Sequence, residues 1–233
     1  MDPTQRLGDR RWTELDGLSG EPIVVIPVGS FEQHGPHLPL DTDTRIAEAI
    51  VERAVPRVDG AMVGPTLTVT ASGEHQGFPG TLSVGTGTTT AMIVELVRSA
   101  DWAAGVVLVN GHGGNVPAVD DAAEILRAEG RHPLVWSVRR PGDAPRDDLH
   151  AGWTETSVML HLAPEWVDVD AAVAGASLTA RDLAQRPLIE VTATGTLGDP
   201  GGADAKAGRR ILDAWVDDLI ESIRRWVRST PGT

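Results

Sequence analysis

Four short stretches of this chain gather the side chains best able to do chemistry, and in each of them they sit among glycines. The longest runs from Pro27 to Thr44 and carries Glu32, His34, Asp41 and Asp43 between Gly29, Gly35, Pro36 and Pro39. The others are Asn110-Gly111-His112-Gly113-Gly114-Asn115, the segment His150 to Ser157 with Glu155, and Ala71 to Thr81 with Glu74 and His75. Imidazoles and carboxylates crowded into turns are what a divalent cation needs. There is no cysteine, which excludes disulfides, thiolate catalysis and sulfur-ligated metals, so any metal here has nitrogen and oxygen ligands. Such a donor set suits zinc and iron alike, with manganese also possible. No serine or cysteine nucleophile motif is present, and a metal that lowers the pKa of bound water to ~7 removes the need for one.

Each histidine alone carries little weight, because a single one is more often hydrogen-bonded structure. His132 and His161, outside these turns, keep that structural reading. Asp41 and Asp43 stand where a helix begins, so one is expected to cap it and the other to be free for metal. Glu155 lies in the first turn of another predicted helix, where a carboxylate is favoured by the dipole and could be a cap only. What sets these four stretches apart is their joint placement, two of them directly after apolar runs.

Those runs are the strands that must position the site. Ile23 to Val28 and Gly105 to Asn110 are short, β-branched and without polar interruption, as strands buried on both faces of a parallel sheet are. Ala61 to Val69 and Pro133 to Val138 complete the expected set. Helical patterns alternate with them at Thr44 to Ala54, Thr88 to Trp102, Val116 to Glu129, Thr154 to Leu162 and Ala205 to Val227, the first opened by Thr42 or Asp43, the second by a threonine-rich cap and the third closed by Gly130. Arg139 to Leu149 reads as a loop and Gly85-Thr86-Gly87 as a turn. Alternation of this kind predicts an α/β fold, a three-layer α/β/α sandwich with a mostly parallel central sheet. Loops at the carboxyl ends of its strands are where such sheets hold ligands.

With 233 residues, 41% of them hydrophobic, the chain is expected to form a single domain over residues 1–233. A net charge of -13 speaks against the phosphate backbone, so no nucleic-acid partner is expected. No run approaches the ~20 apolar residues of a membrane span. Met1 to Arg11 is polar, without the apolar core of a signal peptide, and a cytoplasmic protein is the expectation.

Glu32-Gln33-His34-Gly35, Asp43, Asn110-Gly111-His112 and the His150 to Ser157 segment resemble the creatininase family of metal-dependent amidohydrolases, nearly end to end. Pro36 to Arg45, Ala71 to Gln76, His150-Ala151-Gly152, Thr154 to Ser157 and Leu197-Gly198-Asp199-Pro200 are similar, more narrowly, to the family's mycofactocin-system branch. The resemblance implies two divalent ions per subunit, held by Glu32, His34, Asp43 and His112, with Asp43 as the bridge. It implies His150 as the catalytic histidine, protonating the departing amine or holding the oxyanion, and Glu74 and His75 as grips on the substrate. A water shared between the ions would lose its proton and attack the carbonyl.

This sequence departs from creatininase proper at Gly114, where that enzyme has a glutamate, and Glu155 is the candidate to supply the missing carboxylate. It departs again at Leu149, which replaces the acid before the catalytic histidine. Both departures favour a different amide. The mycofactocin-like motifs imply a modified ribosomal precursor peptide, cut so as to release its modified C-terminal Val-Tyr dipeptide, and family habit implies a homo-oligomer. The alternatives are a family hydrolase acting on a cyclic amide or formamide, and a metal-binding module without catalysis.

Overall fold

The computed structural model describes residues 5–16, 18, 21–176 and 187–229. Its centre is a sheet of four strands, β1 (Ile23–Val28), β2 (Ala61–Val63), β3 (Gly105–Asn110) and β4 (Leu134–Ser137), all parallel and ordered β2-β1-β3-β4. The seven described helices are α1 (Trp12–Asp16), α2 (Thr42–Ala54), α3 (Thr86–Ser99), α4 (Val116–Ala128), α5 (Trp153–Leu162), α6 (Leu188–Val191) and α7 (Ala205–Ser229).

Successive side chains of a strand leave on opposite faces, so an unbroken apolar strand feeds two cores at once. Ile23, Val25, Val107 and Val109 pack with Ile46 and Ile50 of α2, Met159 of α5 and Leu212 and Leu219 of α7. Val24, Ile26, Val106 and Leu108 turn the other way, onto Ile93 and Val97 of α3 and Val119 and Leu126 of α4. The expected three layers are therefore present, with β1 and β3 in the middle.

The strands β1 and β3 and the helices α2, α4, α5 and α7 lie within two residues of expectation. Strand β2 is shorter than expected, ending at Val63. Pro65 has no N–H to continue the ladder, although Leu67 still donates to Pro27 and touches β1 in one isolated bridge. Gly85-Thr86-Gly87 is not a free turn. Gly85, at φ +77, precedes α3, and Thr86 and Gly87 form its first turn. No threonine side chain caps that helix; Thr89 instead bonds back to the Gly85 carbonyl at 2.9 Å. Gly130, at φ +83, closes α4 as expected, donating to Arg127 while Arg131 donates to Leu126. The short helices α1 and α6 have no periodic pattern of their own and were not foreseen.

Helices α5 and α7 meet at a bare backbone contact. A Cβ on Gly208 of α7 would fall inside contact distance of the Ser157 carbonyl in α5. Gly208→Ala is therefore expected to lower stability by about 3 kcal/mol, the upper end of what overpacking costs, as read from urea unfolding.

Candidate metal centre

Two glycines decide where the centre lies. A Cβ on Gly29, just after β1, would collide with Thr44, and one on Gly111, just after β3, would come within 2.7 Å of the Asp43 carbonyl oxygen. Lacking side chains, both let the first turn of α2 press against the ends of the two central strands. Asp43 is thereby placed, buried, at the carboxyl edge of the sheet. Asp41 occupies the capping position of α2 without capping it. Its carboxylate pairs with Arg45 at 2.7 Å instead.

Around Asp43 the expected residues converge. Ser30 Oγ donates to Oδ2 at 2.8 Å. His34 Nε2 lies 3.3 Å from Oδ1, and His112 Nδ1 lies 3.0 Å from Oδ2. The far nitrogen of each ring faces a carbonyl that can only accept: His34 Nδ1 donates to Glu32 O at 3.1 Å, and His112 Nε2 donates to Ala71 O at 3.0 Å. A neutral imidazole so held turns a lone pair toward each oxygen of Asp43. Acceptor facing acceptor is repulsive unless a positive charge lies between.

Glu32 poses the same problem more sharply. Its side chain is wholly buried and neither carboxylate oxygen has a hydrogen bond, although His75 Nε2 and His112 Nε2 each come within 3.1 Å. An unsatisfied buried carboxylate is costly, and a cation satisfies it. Among the described residues three sets bring their ligand atoms within 4.8 Å of one another: Glu32, Asp43 and His112; His34, His150 and Glu155; and Glu32, His75 and His150. The donors are nitrogen and oxygen only, and they fit divalent ions.

His150 reaches this cluster from the loop before α5. Its ring lies 4.4 Å from that of His34 and 4.4 Å from that of His75. Nε2 donates to Gln33 O at 2.8 Å, which leaves Nδ1 bare, 3.7 Å from Glu32 Oε1. The next residue, Ala151, is buried at φ +50, a conformation costly for a residue with a Cβ. Its N–H is held by Glu155 Oε2 at 2.6 Å. Glu155 thus pins the loop before α5 rather than capping the helix, whose Thr154 N–H goes to Asp148, and it also belongs to the set with His34 and His150. His75, expected with Glu74 to grip the substrate, is buried against Glu32 within the cluster. His132 and His161 lie outside the cluster, His161 beside Arg53.

Three further residues hold the site together. Gln33 donates from its amide to His75 Nδ1 at 2.8 Å and accepts from Gly35 N, which fixes the proton of His75 on Nε2. Asn115 binds the Gly29 carbonyl and the Ala71 amide, tying the β1 loop to the loop that carries His75. Ser30 steadies Asp43. None of the three is a ligand type, so chemistry alone did not mark them; Gln33 and Asn115 at least lie inside the motifs.

Burial pushes the Glu32 carboxyl up to about 7, against the pull of His112. Burial and the Asp43 charge raise Glu155 to about 8. For His34, burial acts downward but Asp43 outweighs it and holds the ring at about 9. Burial also opposes His112, which the charge of Glu32 and the bond to Asp43 keep well above its ordinary value. Asp43, despite burial, is held well below the usual range by His34 and His112. Burial and the neighbouring imidazoles drive His75 down to about 3 and His150 well below its ordinary value.

A cavity of about 180 Å³ opens onto this cluster, with His112, His150 and Glu155 at its floor and Arg139, Leu149 and Trp215 in its walls. No described helix is long and apolar enough to cross a membrane.

The family described as creatinine amidohydrolase matches residues 8–223. The mycofactocin precursor peptide peptidase of Mycobacterium tuberculosis is 45% identical over 97% of this chain and 93% of its own. That of Mycolicibacterium smegmatis is 46% identical over 88% of this chain and 85% of its own. Among solved structures, a mutant creatininase of the zinc–zinc type superposes with a TM-score of 0.79 at 29% identity, covering 94% of this chain and 96% of that one.

Above about pH 7.5 the ionisations of the metal-free centre that change with folding act in one direction. Glu32, Glu155 and His34 hold their protons to higher pH in the folded chain than in the unfolded one, while His75 and His150 are by then neutral in both states; nearer pH 6.5 the unfolded rings of these two still bind protons and act the other way. Glu32, Glu155 and His34 therefore favour the folded state less as pH rises through about 7, 8 and 9. Chelated protein is expected to lose melting temperature from about pH 7.5 to 9 by scanning fluorimetry, and the stabilisation on adding divalent ion is expected to grow, because ligands bind as deprotonated groups.

Proposed function

The chain belongs to the creatininase family of hydrolases, and we propose that it is a metal-dependent peptidase that releases the modified C-terminal Val-Tyr dipeptide from a mycofactocin precursor peptide. The observation that carries the substrate is the likeness to the two mycobacterial peptidases, well above that to the creatininase structure and spread over nearly the whole chain. Gly114 and Leu149, where creatininase proper carries acids, agree with a different amide.

The orphaned carboxylate of Glu32 and the two imidazole lone pairs facing Asp43 support two divalent sites, one on Glu32, Asp43 and His112 and the other on His34 and Glu155, which group with His150, with Asp43 Oδ1 3.3 Å from His34 as a further ligand. Zinc, iron or manganese would suit. Divalent ions there would supply Lewis acidity, lowering the pKa of a water to ~7 and polarising an amide carbonyl. Asp43, with Oδ1 toward His34 and Oδ2 toward His112, would be shared by both sites. His150, kept neutral by burial, has Nδ1 free to take up a proton and pass it to the departing amine, while the carbonyl of Gln33 fixes its tautomer. The cavity beside it has an apolar wall at Ile46, Leu149 and Trp215 for hydrophobic side chains, and Arg139 and Arg140 stand at the wall toward solvent. His75 packs beside Glu32, its Nε2 3.1 Å from Oε1 without forming a hydrogen bond to it. The working unit is a cytoplasmic homo-oligomer, as family likeness suggests.

Two measurements test this. His150→Ala is expected to cut turnover of the modified precursor by ~10²–10⁴-fold while metal content stays at the wild-type level. Loss of metal with the histidine would make it a ligand, and unchanged turnover would end its catalytic role. Chelator-treated protein is expected to be inactive and to recover on adding divalent ion. Turnover of creatinine or a formamidopyrimidine in place of the precursor would reassign the substrate.

A further inference from the structure

Gly114 lacks a side chain, and the space beside it is filled. A Cβ built there would fall inside contact distance of Glu74 Oε1 and of His112 Nε2. Glu74 comes from the short turn Gly73–His75, and its carboxylate reaches across so that Oε1 lies 3.2 Å from His112 Nε2. The side chain is about one third exposed, so it approaches from the solvent side while His112 is buried. Nothing in its own turn requires this reach, since the end of that turn is closed by backbone bonds from His75 and Gln76.

We propose that Glu74 is a positioning residue for His112, its carboxylate seated in the space a side chain at 114 would fill and accepting from Nε2 so that Nδ1 is turned toward Asp43. Ligating histidines are held in this way, by a carboxylate or carbonyl on the ring nitrogen that does not meet the ion. Here Nε2 faces the Ala71 carbonyl at 3.0 Å, Glu32 Oε2 at 3.1 Å and Glu74 Oε1 at 3.2 Å, the first and last carried by one loop. A negative charge at Nε2 also makes Nδ1 a stronger donor. The carboxylate absent from position 114 is thus matched by one arriving from a neighbouring loop, while Glu155 groups with His34 and His150.

The inference rests on the reading of His112 as a metal ligand. Cobalt(II) titrated into chelator-stripped protein, followed by its visible absorption, gives both affinity and ligand field without any turnover. Glu74→Ala is expected to weaken binding ~10–100-fold and to shift the cobalt bands, with the melting temperature of the metal-free protein little changed. Glu74→Gln, which can still accept from Nε2 but carries no charge, is expected to fall between. Gly114→Ala, with Glu74 displaced from its seat, is expected to resemble Glu74→Ala. Wild-type affinity and spectrum in Glu74→Ala would overturn the assignment. Failure of the wild-type protein to bind cobalt at all would instead overturn the metal reading on which it stands.

Discussion

A carboxylate sealed inside a protein without a hydrogen bond is the constraint from which the rest of this molecule follows. Glu32 is such a group, and the residues around it compound the difficulty, because the lone pairs of two imidazoles are aimed at a second buried carboxylate, Asp43. In water each of these groups would be solvated. Within the fold only positive charge can reconcile them, either protons on His34 and His112 or metal ions in the same places. The raised proton affinities of those two rings and of Glu32 express the same electrostatics as metal affinity does, and the two cations compete for one set of lone pairs.

Holding such groups together requires a frame that does not yield. The two central strands are buried on both faces, and their hydrogen-bonded register runs unbroken from Ile23 opposite Gly105 to Val28 opposite Asn110. The polar loops leave from adjacent strand ends, so Glu32, His34 and His112 begin a strand spacing apart, about 4.8 Å, before any side chain is chosen. Helix α2 closes the arrangement from above through contacts that only glycine permits at 29 and 111. Helix α5 adds Glu155, and the loop before it the strained Ala151, a cost in conformational energy directly beside His150.

Much of this was legible in the residues. The apolar runs named β1 and β3 to the residue, because a strand buried on both faces is a continuous signal bounded by polar turns. The convergence of the clustered side chains was legible too: Glu32, His34, Asp43, His112, His150 and Glu155, read from turns rich in glycine, do come together. Less legible was everything that depends on direction in space. Asp41 and Asp43 stand two apart, and only the helix turn decides that one meets Arg45 and the other the centre. His75 reads as a grip on the substrate, yet its loop folds inward through Asn115. Gln33, which orients two histidines, carries no ligand chemistry, and the filled space beside Gly114 is invisible without coordinates. Strand β2 was overextended because Pro65 interrupts a ladder whose apolar pattern continues past it.

Part of the cavity wall comes from outside the elements that carry the central cluster. Arg139, Arg140 and Leu149 belong to the loop between β4 and α5, whereas Glu32, Asp43 and His112 are mounted on β1, α2 and β3. Residues of the Arg139 to Leu149 loop can therefore change with little disturbance to Glu32, Asp43 and His112. A lineage built this way is free to exchange one amide for another by editing a single connection, and relatives sharing an identical cage need not share a diet.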